Sequence, residues 1–68
     1  MYRLHRRFLK RLKKIRAEQG MTQGALAERA GLARGYLNRV ESGQSDPSLS
    51  TLIKLAKAFG VEVSALLK

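Results

Sequence analysis

The sequence predicts an all-α domain of five helices around one core, and three observations carry that expectation. Apolar residues recur at helical spacing in successive segments, a glycine follows each of the first four segments (Gly20, Gly31, Gly43 and Gly60), and no stretch alternates apolar and polar residues as a strand would. The chain has no internal repeat and no low-complexity segment. With 68 residues, 44% of them hydrophobic, it can build one small core and has no room for a separate catalytic domain. It lacks cysteine, so disulfides and thiolate zinc sites are excluded and packing must supply stability.

The first helix rests on Leu4, Phe8, Leu12 and Ile15, with Leu9 beside them, which form an apolar stripe opposite a basic face. It should end at Gln19 with Gly20 as its left-handed cap, and its crowded basic opening should fray. Thr22 suits the cap of a second, short helix carrying Leu26, Ala27 and Ala30 inward and stopping at Gly31. A third helix, from about 34 to 41, turns Leu37 and Val40 to one face, and Gly43 closes its end. Residues 42–48 read as a loop, with Pro47 shortly before the fourth helix. There Leu49, Leu52, Ile53, Leu55, Ala56 and Phe59 predict a wide apolar face, with Lys54 and Lys57 pointing away. A last short helix is expected from Val63 to Leu67, capped near Glu62.

The formal net charge is +9, concentrated in the first twenty residues, where Arg3, Arg6, Arg7, Lys10, Arg11, Lys13, Lys14 and Arg16 oppose only Glu18. A polyanion is the expected partner. Nucleic acid suits it best, since clustered cations gain affinity by releasing counterions from phosphates, while an anionic membrane or an acidic protein stays open. No apolar run is long enough to span a bilayer and no secretory signal is evident, so a soluble, cytoplasmic protein is expected. Residues 1–17 also read as an amphipathic, acid-free transit peptide, although the segment flows into the pattern of the folded domain.

Residues 22–41 can be read as a helix-turn-helix unit. Ala27 is small where two helices must approach, Gly31 permits the backbone angle of the turn, and Leu26, Ala30, Leu32, Leu37 and Val40 supply a shared core. Beyond this unit the sequence resembles the Cro/C1-type, XRE-like helix-turn-helix family of phage repressors, antitoxins and restriction-modification controllers. The resemblance runs from about Leu9 to Leu67. It is carried by Met-Thr-Gln at 21–23, Leu-Ala-Glu-Arg-Ala-Gly at 26–31, Arg-Val-Glu-Ser-Gly at 39–43, Asp-Pro-Ser at 46–48 and Leu-Ala-Lys-Ala-Phe-Gly-Val at 55–61. It implies a lambda-repressor-like domain over residues 1–68, here with a basic extension, 1–8, lengthening the first helix. The implied function is sequence-specific binding of double-stranded DNA by a small transcriptional regulator of the repressor type, with helix 34–41 in the major groove.

The resemblance further implies that Gln23, opening the second helix, bonds a DNA phosphate, and that Arg16 and Glu41 form a structural ion pair. A solvated Gln23 is the plain alternative. On the third helix, a rotation of 100° per residue sends Gly35, Asn38 and Arg39 outward, with Arg34 at the leading edge. Arg34 and Arg39 can fork onto a guanine or hold a phosphate, and Asn38 can read an adenine or hold a phosphate. Tyr36 stands on the flank, suited to a phosphate or to packing. Serine, common in the family at positions 33 and 35, is replaced by Ala33 and Gly35, which removes a cap oxygen and a base-contacting side chain, although Gly35 can instead contact the bases by letting the helix backbone approach the groove floor closely. Gln44 and Ser45 are candidate backbone contacts or plain loop residues. Arg3, Arg6 and Arg7 belong either to a phosphate-contacting arm or to a solvated helix face.

Lone His5 among arginines offers no metal site, and no nucleophile–base pair or phosphate loop is present, so neither an enzyme nor a cofactor is expected. Val61, Val63, Leu66 and Leu67 suggest a homodimer interface, and a two-fold dimer implies a pseudo-palindromic operator with half-sites roughly 10 bp apart. Two other classes remain in view. One is an adaptor or antitoxin-like module that binds a protein, such as a toxin, on the same fold. The other is an RNA or anionic-membrane binder acting through the basic N-terminus.

Overall fold

Five helices form in the expected order: α1 (Tyr2–Glu18), α2 (Gln23–Ala30), α3 (Arg34–Glu41), α4 (Leu49–Phe59) and α5 (Val63–Leu66). The computed structural model describes residues 2–68, with side chains from Arg6 onward. Two starts are capped by side chains. Thr22 Oγ1 accepts the Ala25 N–H at 3.0 Å, and Ser48 Oγ accepts the Thr51 N–H at 3.1 Å. Ala33, before α3, has no side-chain cap bond. At the turn between α2 and α3, Gly31 adopts φ 70°, and the Leu32 N–H reaches back to the Ala27 carbonyl at 2.8 Å. That reversal needs the left-handed region, which a residue lacking Cβ enters without strain.

The principal contacts close a ring: α1 packs on α3 and α5, α2 on α3 and α4, and α4 on α5. Inside it lie Phe8, Leu12 and Ile15 from α1, Leu26, Ala27 and Ala30 from α2, Leu37 and Val40 from α3, Leu55, Ala56 and Phe59 from α4, and Leu66 from α5. Two side-chain bonds to backbone tie the ring across long sequence separations. Arg11 Nε donates to the Ala65 carbonyl at 3.1 Å, and Gln19 Nε2 donates to the Phe59 carbonyl at 2.9 Å.

Two expectations change. Leu66 is not available for a dimer interface: it is wholly buried, the one residue of α5 that closes the core beneath α1 and α4. Val61, Val63 and Leu67 are half-buried and pack on that core. The buried stripe of α4 is also rotated from the expected one. Thr51 goes inside, whereas Ile53 and Leu49 are exposed, at 44% and 68%. Burying a hydroxyl requires a partner, and Thr51 Oγ1 has two, the Tyr36 hydroxyl at 2.9 Å and Ser48 Oγ at 3.0 Å.

Candidate nucleic-acid interface

The site is built on α3. Leu37 and Val40 are wholly buried and fix the rotation of the helix, so that Arg34, Gly35, Asn38 and Arg39 are exposed. One side of an eight-residue helix therefore carries two guanidinium groups and an amide with no large apolar side chain among them. The two arginines lie differently. A Cβ added at Gly24 would meet the Arg34 side chain at 3.9 Å, so Arg34 reaches across to the first turn of α2. A Cβ added at Gly35 would meet Nη1 of Arg39 at 3.8 Å, so Arg39 lies back along α3 over the turn before it. The space left by the missing side chain at position 35 is bordered by a guanidinium.

Beneath this face, Glu41 is only 3% exposed. Its two oxygens accept from Arg16 in a fork, Nε to Oε2 at 2.9 Å and Nη2 to Oε1 at 3.2 Å, and Arg16 Nη1 donates to the Met21 carbonyl at 3.0 Å. The pair fastens the end of α1 to the end of α3. Gln23 joins it, with Nε2 donating to Glu41 Oε1 at 2.9 Å while its Oε1 accepts from Asn38 Nδ2 at 3.2 Å. A continuous run of bonds thus leads from a buried carboxylate to the exposed surface of α3. Sequence reasoning placed Gln23 and Asn38 separately and missed the bond between them. It also missed Thr51, whose signal was its position four and eight residues before the buried Leu55 and Phe59.

The flanking candidates are positioned as follows. The Tyr36 hydroxyl is bonded to Thr51 and its ring packs on the core, so its packing role is visible and one hydroxyl valence is used. The backbone N–H groups of Gln44 and Ser45 both donate to the Arg39 carbonyl, at 2.8 and 3.2 Å, and Ser42 Oγ donates there too at 3.1 Å. Of the donors of Gln44 and Ser45, the side-chain groups remain for a phosphate. Arg6 and Arg7 are exposed on α1 and line an open groove with Leu9, Lys10 and Lys13, while Phe8, next after Arg7, is anchored in the core. They lie nine and ten residues before Arg16, or about 15 Å along the helix axis. Arg3 falls outside the described side chains. Among the described residues, no group of three or more His, Cys, Asp or Glu side chains could hold a metal, and no helix is long and apolar enough to cross a membrane.

Two helices at a glycine turn, the second presenting cations and an amide outward, define a helix-turn-helix domain. The chain belongs to the HTH_3 helix-turn-helix family, whose model matches residues 12–66. It is 50% identical over 56 residues to the immunity repressor protein of Bacillus phage phi105, a match covering 82% of this chain and 39% of that protein. To the HTH-type transcriptional regulator SinR of Bacillus subtilis it is 40% identical over 58 residues, covering 84% of this chain and 52% of SinR. The chain thus spans about half or less of the length of these two curated relatives. Among solved structures, the restriction-modification controller protein C.AhdI from Aeromonas hydrophila superposes with a TM-score of 0.84 at 40% identity, covering 88% of this chain and 91% of that one. A crystal structure of SinR in complex with DNA gives 0.81 at 37% identity, covering 90% and 98%.

Proposed function

We propose that this chain binds double-stranded DNA sequence-specifically as a transcriptional regulator of the repressor type, with α3 in the major groove. The observation that carries the reading is the division of α3, whose Leu37 and Val40 are locked in the core while Arg34, Gly35, Asn38 and Arg39 face outward. Arg39, in the last turn of α3, reads a guanine, and Asn38 contacts a second base edge. Gly35 offers bare backbone to the floor of the groove. Arg34, held across the start of α2, either reaches a base or shares a phosphate with Gln23. The side chains of Gln44 and Ser45 meet the backbone beyond the recognition helix. Tyr36 contributes a phosphate bond only through the valence that Thr51 leaves. Arg3, Arg6 and Arg7 add phosphate attraction from α1. Such a reading assigns no catalytic role and no cofactor, and makes the cytoplasm the place of action.

A two-fold homodimer on a pseudo-palindromic operator accompanies this reading. The apolar surface available for it is the exposed pair Leu49 and Ile53 together with the half-exposed rims of Val61, Val63 and Leu67. Sedimentation of the chain free and on DNA should give a dimer in at least one of the two states. The decisive experiment for the function is selection of bound sites from a random duplex pool, followed by titration of the selected duplex. A recovered consensus whose affinity far exceeds that for random duplex supports the reading, and equal affinity for both overturns it.

A further inference from the structure

We propose that Gln23 is a specificity-determining positioning residue, and that it commits Asn38 to reading adenine. The inference rests on the major-groove reading of α3 and adds to it a donor–acceptor polarity transmitted from the core. Glu41 is buried, and a carboxylate can only accept hydrogen bonds. Its Oε1 therefore demands the NH₂ end of the Gln23 amide, which stands at 2.9 Å. Rotating that amide by half a turn would set its carbonyl oxygen against a carboxylate that is only 3% exposed, so the observed orientation is favoured. With its NH₂ directed inward, Gln23 turns its carbonyl toward Asn38, and the exposed Asn38 answers with its own NH₂, at 3.2 Å. The order of donors and acceptors on an exposed side chain is thus set by an ion pair inside the protein.

The consequence is chemical. Asn38 keeps its carbonyl oxygen and one N–H for a ligand. An adenine edge in the major groove offers one donor, N6–H, and one acceptor, N7, which match that pair. A guanine edge offers two acceptors, O6 and N7, and needs two donors where Asn38 has one left. An asparagine released from Gln23 regains both N–H groups and is free to rotate its amide, so it discriminates less. Arg16, Glu41 and Gln23 touch no base, and their effect on base preference passes through Asn38.

The test uses the full chain and the duplex selected from a random pool, remade with each of the four base pairs at every position of the half-site. The position read by Asn38 is the one whose preference disappears in Asn38→Ala. There the parent chain should prefer A·T over the other pairs by roughly tenfold or more. Gln23→Ala should reduce that preference to within about twofold, and adding Gln23→Ala to Asn38→Ala should change discrimination no further. If Gln23→Ala disturbs folding, Gln23→Met keeps the length and apolar stem of the side chain, lacks the amide, and should lose the same preference. In the free protein, the side-chain amide resonances of Asn38 should move in Gln23→Met and exchange faster with solvent. A uniform loss of affinity on all four duplexes, with the preference intact, means that Gln23 only holds a phosphate and overturns the inference. A preference for G·C, or the absence of any position that depends on Asn38, overturns it as well. In those cases the selected site and its dependence on Arg39 survive, whereas a chain with no selected site at all loses the functional reading together with this one.

Discussion

At the scale of single residues, the two members of the Arg16–Glu41 pair are unequal. The Arg16 side chain is 22% exposed and keeps a bond to the Met21 carbonyl, whereas Glu41 is 3% exposed and depends on Arg16 for its charge partner. Removing Glu41 leaves a cation with access to water, while removing Arg16 leaves a buried anion with only the Gln23 amide. Arg16→Ala should therefore destabilise more than Glu41→Ala at neutral pH, both on the order of 1–3 kcal/mol. The double variant should lose less than the sum of the two. Urea unfolding of the three variants measures all of this, and strict additivity would show that the fork contributes nothing.

At the scale of elements, α3 draws little support from its own sequence. It begins after Ala33 without a side-chain cap, and Gly35 lies in its first turn. Ala33 already has the extended backbone that a capping residue adopts, φ −67° and ψ 136°, so Ala33→Ser should add about 1 kcal/mol of stability. Gly35→Ala should add roughly 0.5–1 kcal/mol, since the new methyl meets only the end of Arg39 at an ordinary van der Waals distance. Thermal or urea unfolding checks both. A loss of stability in Ala33→Ser would mean that the start of α3 lies elsewhere. The order and near-boundaries of all five helices were legible from apolar spacing and glycine stops, because both report on backbone and burial at short range. The facing of α4 was not. Periodicity treats Ile53 and Thr51 by hydropathy alone, and the hydroxyl of Tyr36, fifteen residues away, decides which of them goes inside.

At the scale of the whole molecule, the ring of helices separates what closes the core from what meets a partner. Leu66→Ala removes the wholly buried side chain of α5 and should cost about 2–5 kcal/mol, enough to unfold much of so small a domain. Leu49→Ala should change stability by no more than about 0.5 kcal/mol while weakening any dimer that uses α4. Circular dichroism during urea titration separates the two. The same division should be visible on DNA. Arg39→Ala should cost roughly 1–3 kcal/mol on a selected duplex and little on random duplex. Replacing Arg6 and Arg7 together by alanine should weaken both duplexes alike, flattening the slope of log affinity against log salt by about 0.9 for each phosphate that goes unneutralised. The outward residues of α3 were legible because two buried neighbours fix its rotation. Of the polar run beneath them, the Arg16–Glu41 pair was implied by the family resemblance and is present, whereas the links through Gln23 to Asn38 were not foreseen, since the four residues come from three helices and only the closed ring brings them together.

The carbonyl of Arg39 accepts three hydrogen bonds from the loop that follows, through Ser42 Oγ and the N–H groups of Gln44 and Ser45. The residue whose guanidinium is proposed to read a base is thus also the mooring of the segment proposed to run along the sugar-phosphate chain. Mechanically, these bonds couple loop and helix end, so that on the proposed reading a push on the loop from a phosphate would be felt at the root of the Arg39 side chain. Timing reveals such a coupling: the amide protons of Gln44 and Ser45 should trade for deuterium at the pace of the last turn of α3, and should slow in step with it when duplex is added.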